Sequence, residues 1–297
     1  MKVDQKKLNN ILWQAKMQLS KNWLESKRIL QKGLKEFPRS TELLLFMAEI
    51  YFSKKLYRKA VGVYHKVLKV EPKNETATFQ LANAFMAISE YKLAIDYYNM
   101  LNANFPELLY NKAFAYSKIG RNDKSIEILK PIFNYKISSL LPYIFLAELF
   151  FLDGKHDESI NTLEKAEQKF GKRGNISYLK GLAYFNLHNT LKAYIEFDTA
   201  EKLKINSANF YKNFALTCDK IGKTDKAITL LMNGIKKNPF DPIVYIELIQ
   251  IYIDHNRYGE AFSVAELSKK NVPYSVTLSM LYDKIVLYLE DKKSREE

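Results

Sequence analysis

The chain has 297 residues, 46 Lys or Arg against 33 Asp or Glu, and a formal net charge of +13. Ten glycines, eight prolines and one cysteine accompany 47% hydrophobic residues. Collagen-like, low-complexity, disulfide-stapled and disordered classes are therefore excluded, and there is enough apolar mass to bury a core.

In chain order, the first seven residues carry no apolar run behind their charges, so no secretory signal is expected. The longest apolar stretch, 140–152, is broken by Pro142 and Glu148 and is too short to span a bilayer. A soluble, cytoplasmic protein with peripheral membrane association as an added option is the expectation. From residue 7 onward a small residue recurs at Ser26, Ala60, Ala94, Ser125, Ser159, Ala193, Ala227 and Ala261, at spacings of 34, 34, 31, 34, 34, 34 and 34. With that residue numbered 20 in each unit, position 32 holds Pro38, Pro72, Pro106, Pro239 and Pro273. Position 8 holds Ala48, Ala82, Ala113, Ala147, Gly181 and Ala215. Large residues stand at position 11 (Met17, Tyr51, Phe85, Tyr116, Phe150, Tyr184, Tyr252) and at position 24 (Leu30, Tyr64, Tyr98, Phe197).

Small residues at 8 and 20 let two antiparallel helices approach closely. Proline at 32 ends one pair and starts the next. The pattern resembles the tetratricopeptide repeat (TPR), a 34-residue helix–turn–helix unit, over about residues 7–273. The resemblance implies an all-α, right-handed α-solenoid of eight repeats: 7–40, 41–74, 75–105, 106–139, 140–173, 174–207, 208–241 and 242–273. Together, 1–273 form one solenoid, and 274–297 add a C-terminal capping helix and polar tail. Repeat one places Gln14 at the small position, Met17 at position 11, and Trp13 and Trp23 at positions read as core. The step from Ala94 to Ser125 into repeat four is three residues short, and Pro131 should end or kink that repeat's second helix near Lys130. The stripe Leu278, Leu281, Tyr282, Ile285 and Leu289 predicts one more helix over the last repeat.

No phosphate loop, dinucleotide fingerprint, H-E-x-x-H or C-x-x-C is present. The four histidines are scattered, and Cys218 stands in a core column. Neither a catalytic residue nor a bound cofactor or metal is expected. A solenoid works through its surfaces. In the resembled family the first helix of each repeat lines a concave groove. Here the corresponding residues are Leu45, Glu49 and Phe52; Phe79, Asn83 and Met86; Tyr110 and Phe114; Ile144, Glu148 and Phe151; and Tyr178 and Phe185. That lining is aromatic and mildly acidic. It suits an extended or amphipathic apolar segment of a partner protein carrying a few basic residues. It lacks the lysine/asparagine clamp with which some TPR proteins hold a C-terminal carboxylate.

The charge is uneven. Residues 1–74 hold 17 basic and 6 acidic side chains, and the remaining 223 hold 29 and 27. The basic patch comprises Lys27, Arg28, Lys54, Lys55, Arg58, Lys59 and Lys66. The expected function is a protein–protein interaction scaffold. Its alternative is a peripheral adaptor whose basic repeats dock on an anionic membrane or an acidic protein. A helical-repeat nucleic-acid binder is the third reading. Nothing recognisable as a nucleic-acid fold and no arginine enrichment supports it, so nucleic acid is not the expected partner. A homo-oligomer remains open.

Overall fold

The computed structural model describes residues 4–296. Residues 1–3 and 297, the outer ends of the expected solenoid and tail, lie outside the described residues. The described residues form seventeen α-helices and one 3-10 turn, with no strand. They group into two compact units that meet between Pro142 and Tyr143.

In the first unit, α1 (Gln5–Leu19) pairs with α2 (Trp23–Glu36) and α3 (Thr41–Ser53) with α4 (Tyr57–Val70). Then α5 (Glu75–Ala87) pairs with α6 (Tyr91–Asn99), and α7 (Pro106–Lys118) with α8 (Asn122–Leu129). Pro131 stops α8 at Leu129, and the chain continues as the 3-10 turn Lys130–Asn134. The second unit takes α9 (Leu141–Leu152) from Tyr143 on, followed by α10 (His156–Phe170), α11 (Gly174–Asn186) and α12 (Thr190–Lys202). It continues with α13 (Ala208–Lys220), α14 (Thr224–Lys237), α15 (Pro242–Asp254), α16 (Tyr258–Asn271) and α17 (Val276–Glu296). Each unit is thus a run of helix–turn–helix pairs stacked in sequence, a helical solenoid. The last helix packs Leu278 and Ile285 into the core formed with α15 and α16.

Several helices start where a side chain satisfies an orphan amide. Ser40 accepts from the Leu43 N–H, Asn74 from Ala77, and Ser207 from Phe210. The turn inside each pair is equally regular. Position 15 adopts left-handed backbone in seven repeats, at Lys55, Ser89, Gly120, Gly154, His188, Gly222 and Asn256. In each, the N–H of position 16 returns to the carbonyl of position 11, as from Leu56 to Tyr51 at 2.8 Å and from Arg257 to Tyr252 at 2.7 Å. This is the Schellman closure of a helix C-terminus.

The small columns work as close contacts. Where position 20 is serine, its buried hydroxyl donates to the facing carbonyl. Ser125 reaches Ala113 O at 2.7 Å and Ser159 reaches Ala147 O at 2.8 Å. At position 8, a Cβ added to Gly181 would stand 2.7 Å from the Phe197 ring.

Repeat one departs from the sequence expectation. Ser26 donates to Ala15 O at 2.7 Å, so Ala15, fully buried, occupies the small position assigned above to Gln14. The cause is a turn shorter by one residue. Asn22 N–H bonds Gln18 O at 2.7 Å, and no left-handed residue intervenes. The one-residue shift rotates the outer face of α1. Trp13, read as core, is 58% exposed, and Met17 is exposed too. Trp23 alone of the two tryptophans packs against the first core.

Candidate functional site on the first helices

The residues expected to bind a partner fall on one face of each first helix. Leu45, Glu49 and Phe52 follow the i, i+4, i+7 spacing on α3, as do Phe79, Asn83 and Met86 on α5. Ile144, Glu148 and Phe151 repeat it on α9. The structure does not treat these residues alike.

On α3, Leu45 and Phe52 are partly buried against the core, and Phe52 meets Tyr57 edge-on at 5.2 Å. Glu49 stands between them. Among the described residues no cation lies within 4 Å of its carboxylate, and burial pushes its pKa up against the opposing charge of Lys16. On α9 the same arrangement returns. Glu148 lies between Ile144 and Phe151, is likewise without an ion-pair partner among the described residues, and its pKa is raised by burial. Phe151 packs on His156, with ring centroids 5.0 Å apart.

On α5, Phe79 is a correction to the sequence reading. It is buried, edge-on to Phe105 at 5.1 Å and beside Tyr98 at 6.0 Å, and so belongs to the core rather than to an open surface. Asn83 is tied up as well. Its Oδ1 accepts from the Tyr98 hydroxyl at 2.6 Å and from Asn111 Nδ2 on α7 at 3.0 Å, linking successive first helices. Met86 is partly buried beside them. On α7, Phe114 carries Lys118 Nζ over its ring at 4.9 Å. Tyr110 and Glu107 line a cleft of about 380 Å³ together with Ile137 and Ser139.

In the second unit, Tyr178 and Phe185 on α11 serve packing between repeats. The Tyr178 ring lies 6.0 Å from Phe197 and 5.9 Å from Phe210, and its hydroxyl accepts from Asn213 on α13 at 3.3 Å. Phe185 is capped by Lys220 Nζ at 4.2 Å. A further link between first helices is the Lys212–Glu247 ion pair at 2.8 Å.

The basic patch is not one surface. Lys54 and Lys55 form the α3–α4 turn, and Arg58 and Lys59 follow in the first turn of α4. Lys27 is partly buried on α2, while Arg28 and Lys66 look into a separate groove shared with Lys32 and Lys35.

Other chemistry is quiet. Cys218 is fully buried, and burial pushes its thiol up to about 12. Among the described residues no group of three or more His, Cys, Asp or Glu is placed to hold a metal ion, and no helix is long and apolar enough to cross a membrane. Sequence reasoning missed the inter-repeat ion network of α12 and α14. Lys226 Nζ reaches Asp198 at 2.8 Å and the Tyr194 hydroxyl at 3.2 Å, and these raise its pKa to about 12 against desolvation. A lysine at a second-helix position is indistinguishable in sequence from a solvated one.

Comparison with known proteins agrees with this geometry. Two tetratricopeptide repeat family models match residues 47–108 and 106–130. A TPR repeat-containing protein of Methanocaldococcus jannaschii is 22% identical over 280 residues, covering 78% of this chain and 47% of the relative. The chain thus spans about half the length of the curated relative it matches. The C-terminal part of a TPR repeat-containing protein from Cytophaga hutchinsonii superposes with a TM-score of 0.64 at 19% identity, covering 80% of this chain and 98% of that one. The APC/C hetero-tetramer Cut9–Hcn1 gives a TM-score of 0.55 at 17% identity, covering 88% of this chain and 52% of that one. With small residues buried at one register, paired helices stacked in sequence and these matches, the chain is a tetratricopeptide repeat protein.

Proposed function

We propose that the protein is an interaction scaffold in which the first-helix face of each unit binds an apolar segment of a partner protein bearing basic residues. The observation that carries this reading is the pair Glu49 and Glu148. Each is framed by two apolar residues at helical spacing, neither has a cation within 4 Å among the described residues, and each, though still exposed, has its pKa raised by partial burial. A partly desolvated carboxylate between apolar neighbours gains most from a ligand that brings a charge and covers the apolar flanks together. Phe52, Ile144 and Phe151 supply those flanks, whereas Phe79, Tyr178 and Phe185 hold the scaffold. The matched chain of similar fold in the APC/C Cut9–Hcn1 structure is part of a hetero-tetramer.

The test is an array of apolar 12-residue peptides with none, one or two Lys residues, probed with the native chain and with a Glu49→Lys/Glu148→Lys variant. The native chain should retain lysine-bearing apolar peptides, and the variant should lose them. Equal retention by both proteins refutes the reading.

A further inference from the structure

The first unit holds a second surface of opposite chemistry. Between α2 and α4 runs a groove of about 680 Å³ whose floor is α3. Arg28, Lys32 and Lys35 line it from α2 at i, i+4 and i+7, a basic row about 10 Å long at 1.5 Å per residue. Lys66 faces them from α4. The floor is the apolar stripe Leu44, Met47 and Tyr51, at i, i+3 and i+7 on α3. None of the lining residues is acidic. Among the described residues, Lys32, Lys35 and Lys66 have no carboxylate within 4 Å, and Arg28 reaches only Glu25 on its own helix, at 3.5 Å.

The next repeat explains why this groove is open. At the same three register positions, 34 residues later, stand His65, Phe85 and Tyr97. Their rings close the corresponding space between α4 and α6. Phe85 and Tyr97 stack at 5.5 Å with planes 14° apart, and His65 lies 6.1 and 5.9 Å from the two. In the groove between α2 and α4 those positions are Gln31, Tyr51 and Val63. Two of the three rings are missing, and four cations surround what is left open.

We propose that this groove binds an acidic amphipathic helix of a partner protein. That helix would set carboxylates at i, i+4 and i+7 against Arg28, Lys32 and Lys35 and lay its adjoining apolar stripe on Leu44, Met47 and Tyr51. A helix matches both the row and the floor, because each repeats at helical spacing along its own helix. A flat anionic bilayer meets protruding lysines but does not reach an apolar floor set between two helices. The proposal is independent of the Glu49 face, and its variants leave that face intact.

The probe is a fluorescent 18-residue peptide with Glu at i, i+4 and i+7 beside a Leu stripe. Its controls are a scrambled peptide of the same composition and vesicles rich in phosphatidylserine. Anisotropy titrations use the full chain at about 50 and 300 mM salt. Two variants separate charge from shape. Lys32→Glu/Lys35→Glu reverses the row, and Gln31→His/Val63→Tyr installs the two rings that close the next groove without changing the basic row. Circular dichroism confirms that both keep their helices. The expected result is binding of the patterned peptide alone, weakened at least tenfold by either variant and by the higher salt. Equal binding of the scrambled peptide, no binding of the patterned one, or unchanged binding by Gln31→His/Val63→Tyr overturns the proposal. So does vesicle binding that the ring variant leaves intact while the peptide fails to bind.

Discussion

Gly181→Ala measures how closely the small columns set the helix pairs. The glycine is in the middle of α11, where alanine is intrinsically favoured by about 1 kcal/mol. Against this gain, its Cβ would stand 2.7 Å from both Cδ1 and Cε1 of Phe197. That ring has no room to withdraw. Phe197 is fully buried, with Tyr178, Phe210 and Phe214 at 6.0, 6.4 and 5.9 Å. Forcing an extra methyl into such a core costs ~1–3 kcal/mol. Two simultaneous contacts on a hemmed ring put the cost in the upper half of that range. The net expectation is destabilisation by about 1–2 kcal/mol, read as a fall of roughly 0.5–1 M in the urea midpoint by far-UV circular dichroism. Gly62 on α4 is the control, since a Cβ there meets nothing within 4 Å. Gly62→Ala should raise the midpoint by about 1 kcal/mol equivalent. Trimming the ring in Gly181→Ala/Phe197→Leu should show a favourable coupling in the double-mutant cycle. If Gly181→Ala is neutral or stabilising, the ring yields and the close-approach argument fails.

Three further outcomes follow from the same structure. Lys55→Gly and His188→Gly remove side chains from left-handed backbone and should each stabilise by about 1 kcal/mol in urea melts; Gly120→Ala should do the reverse. Cys218 should not react with a chromogenic disulfide reagent at pH 8 in the native protein, because its thiol is buried and titrates near 12. It should release one equivalent in denaturant, and rapid native labelling would contradict the burial. Glu148→Gln should stabilise the protein by less than about 1 kcal/mol at neutral pH, the carboxyl being partly solvated. Its folded pKa is raised, so the folded state prefers the proton. The native chain should therefore gain stability as pH falls through that value, and the variant should not show this gain in melts between pH 7 and 4.

The register of small residues announced the helix pairs, because a close contact tolerates few side chains and leaves a mark at one spacing. The turn left almost no mark. Its left-handed position is glycine in only three of seven repeats, and Lys55, Ser89, His188 and Asn256 accept the strain because the Schellman bond fixes them. Repeat one misled for a related reason. A turn one residue shorter keeps Ser26 in its column, so the spacing to Ala60 stays 34 while everything on α1 shifts by one. Phe79 misled through a neighbour. The second helix α6 stops early at Asn99, and the connection that follows brings Phe105 onto its ring, so the length of that helix decides whether the position is surface or core.

The helix α3 shows why the surfaces were harder to read than the fold. It is apolar almost all round, which ordinarily marks a helix buried on every side. Its faces have different destinations. Leu45, Glu49 and Phe52 present a carboxylate among apolar side chains, while Leu44, Met47 and Tyr51 floor the basic groove. At 100° per residue the two stripes lie roughly 130° apart. One thirteen-residue helix thus separates an acid-centred surface from a base-rimmed one. The lysines that make the first 74 residues so positive are not a uniform coat. Six of them cluster with Arg58 and Arg28 in two places, and only the second has an apolar floor beneath it. Charge alone would attract any anion to either place; the floor, open because Gln31 and Val63 replace the rings of the next repeat, is what selects a helix with an apolar side.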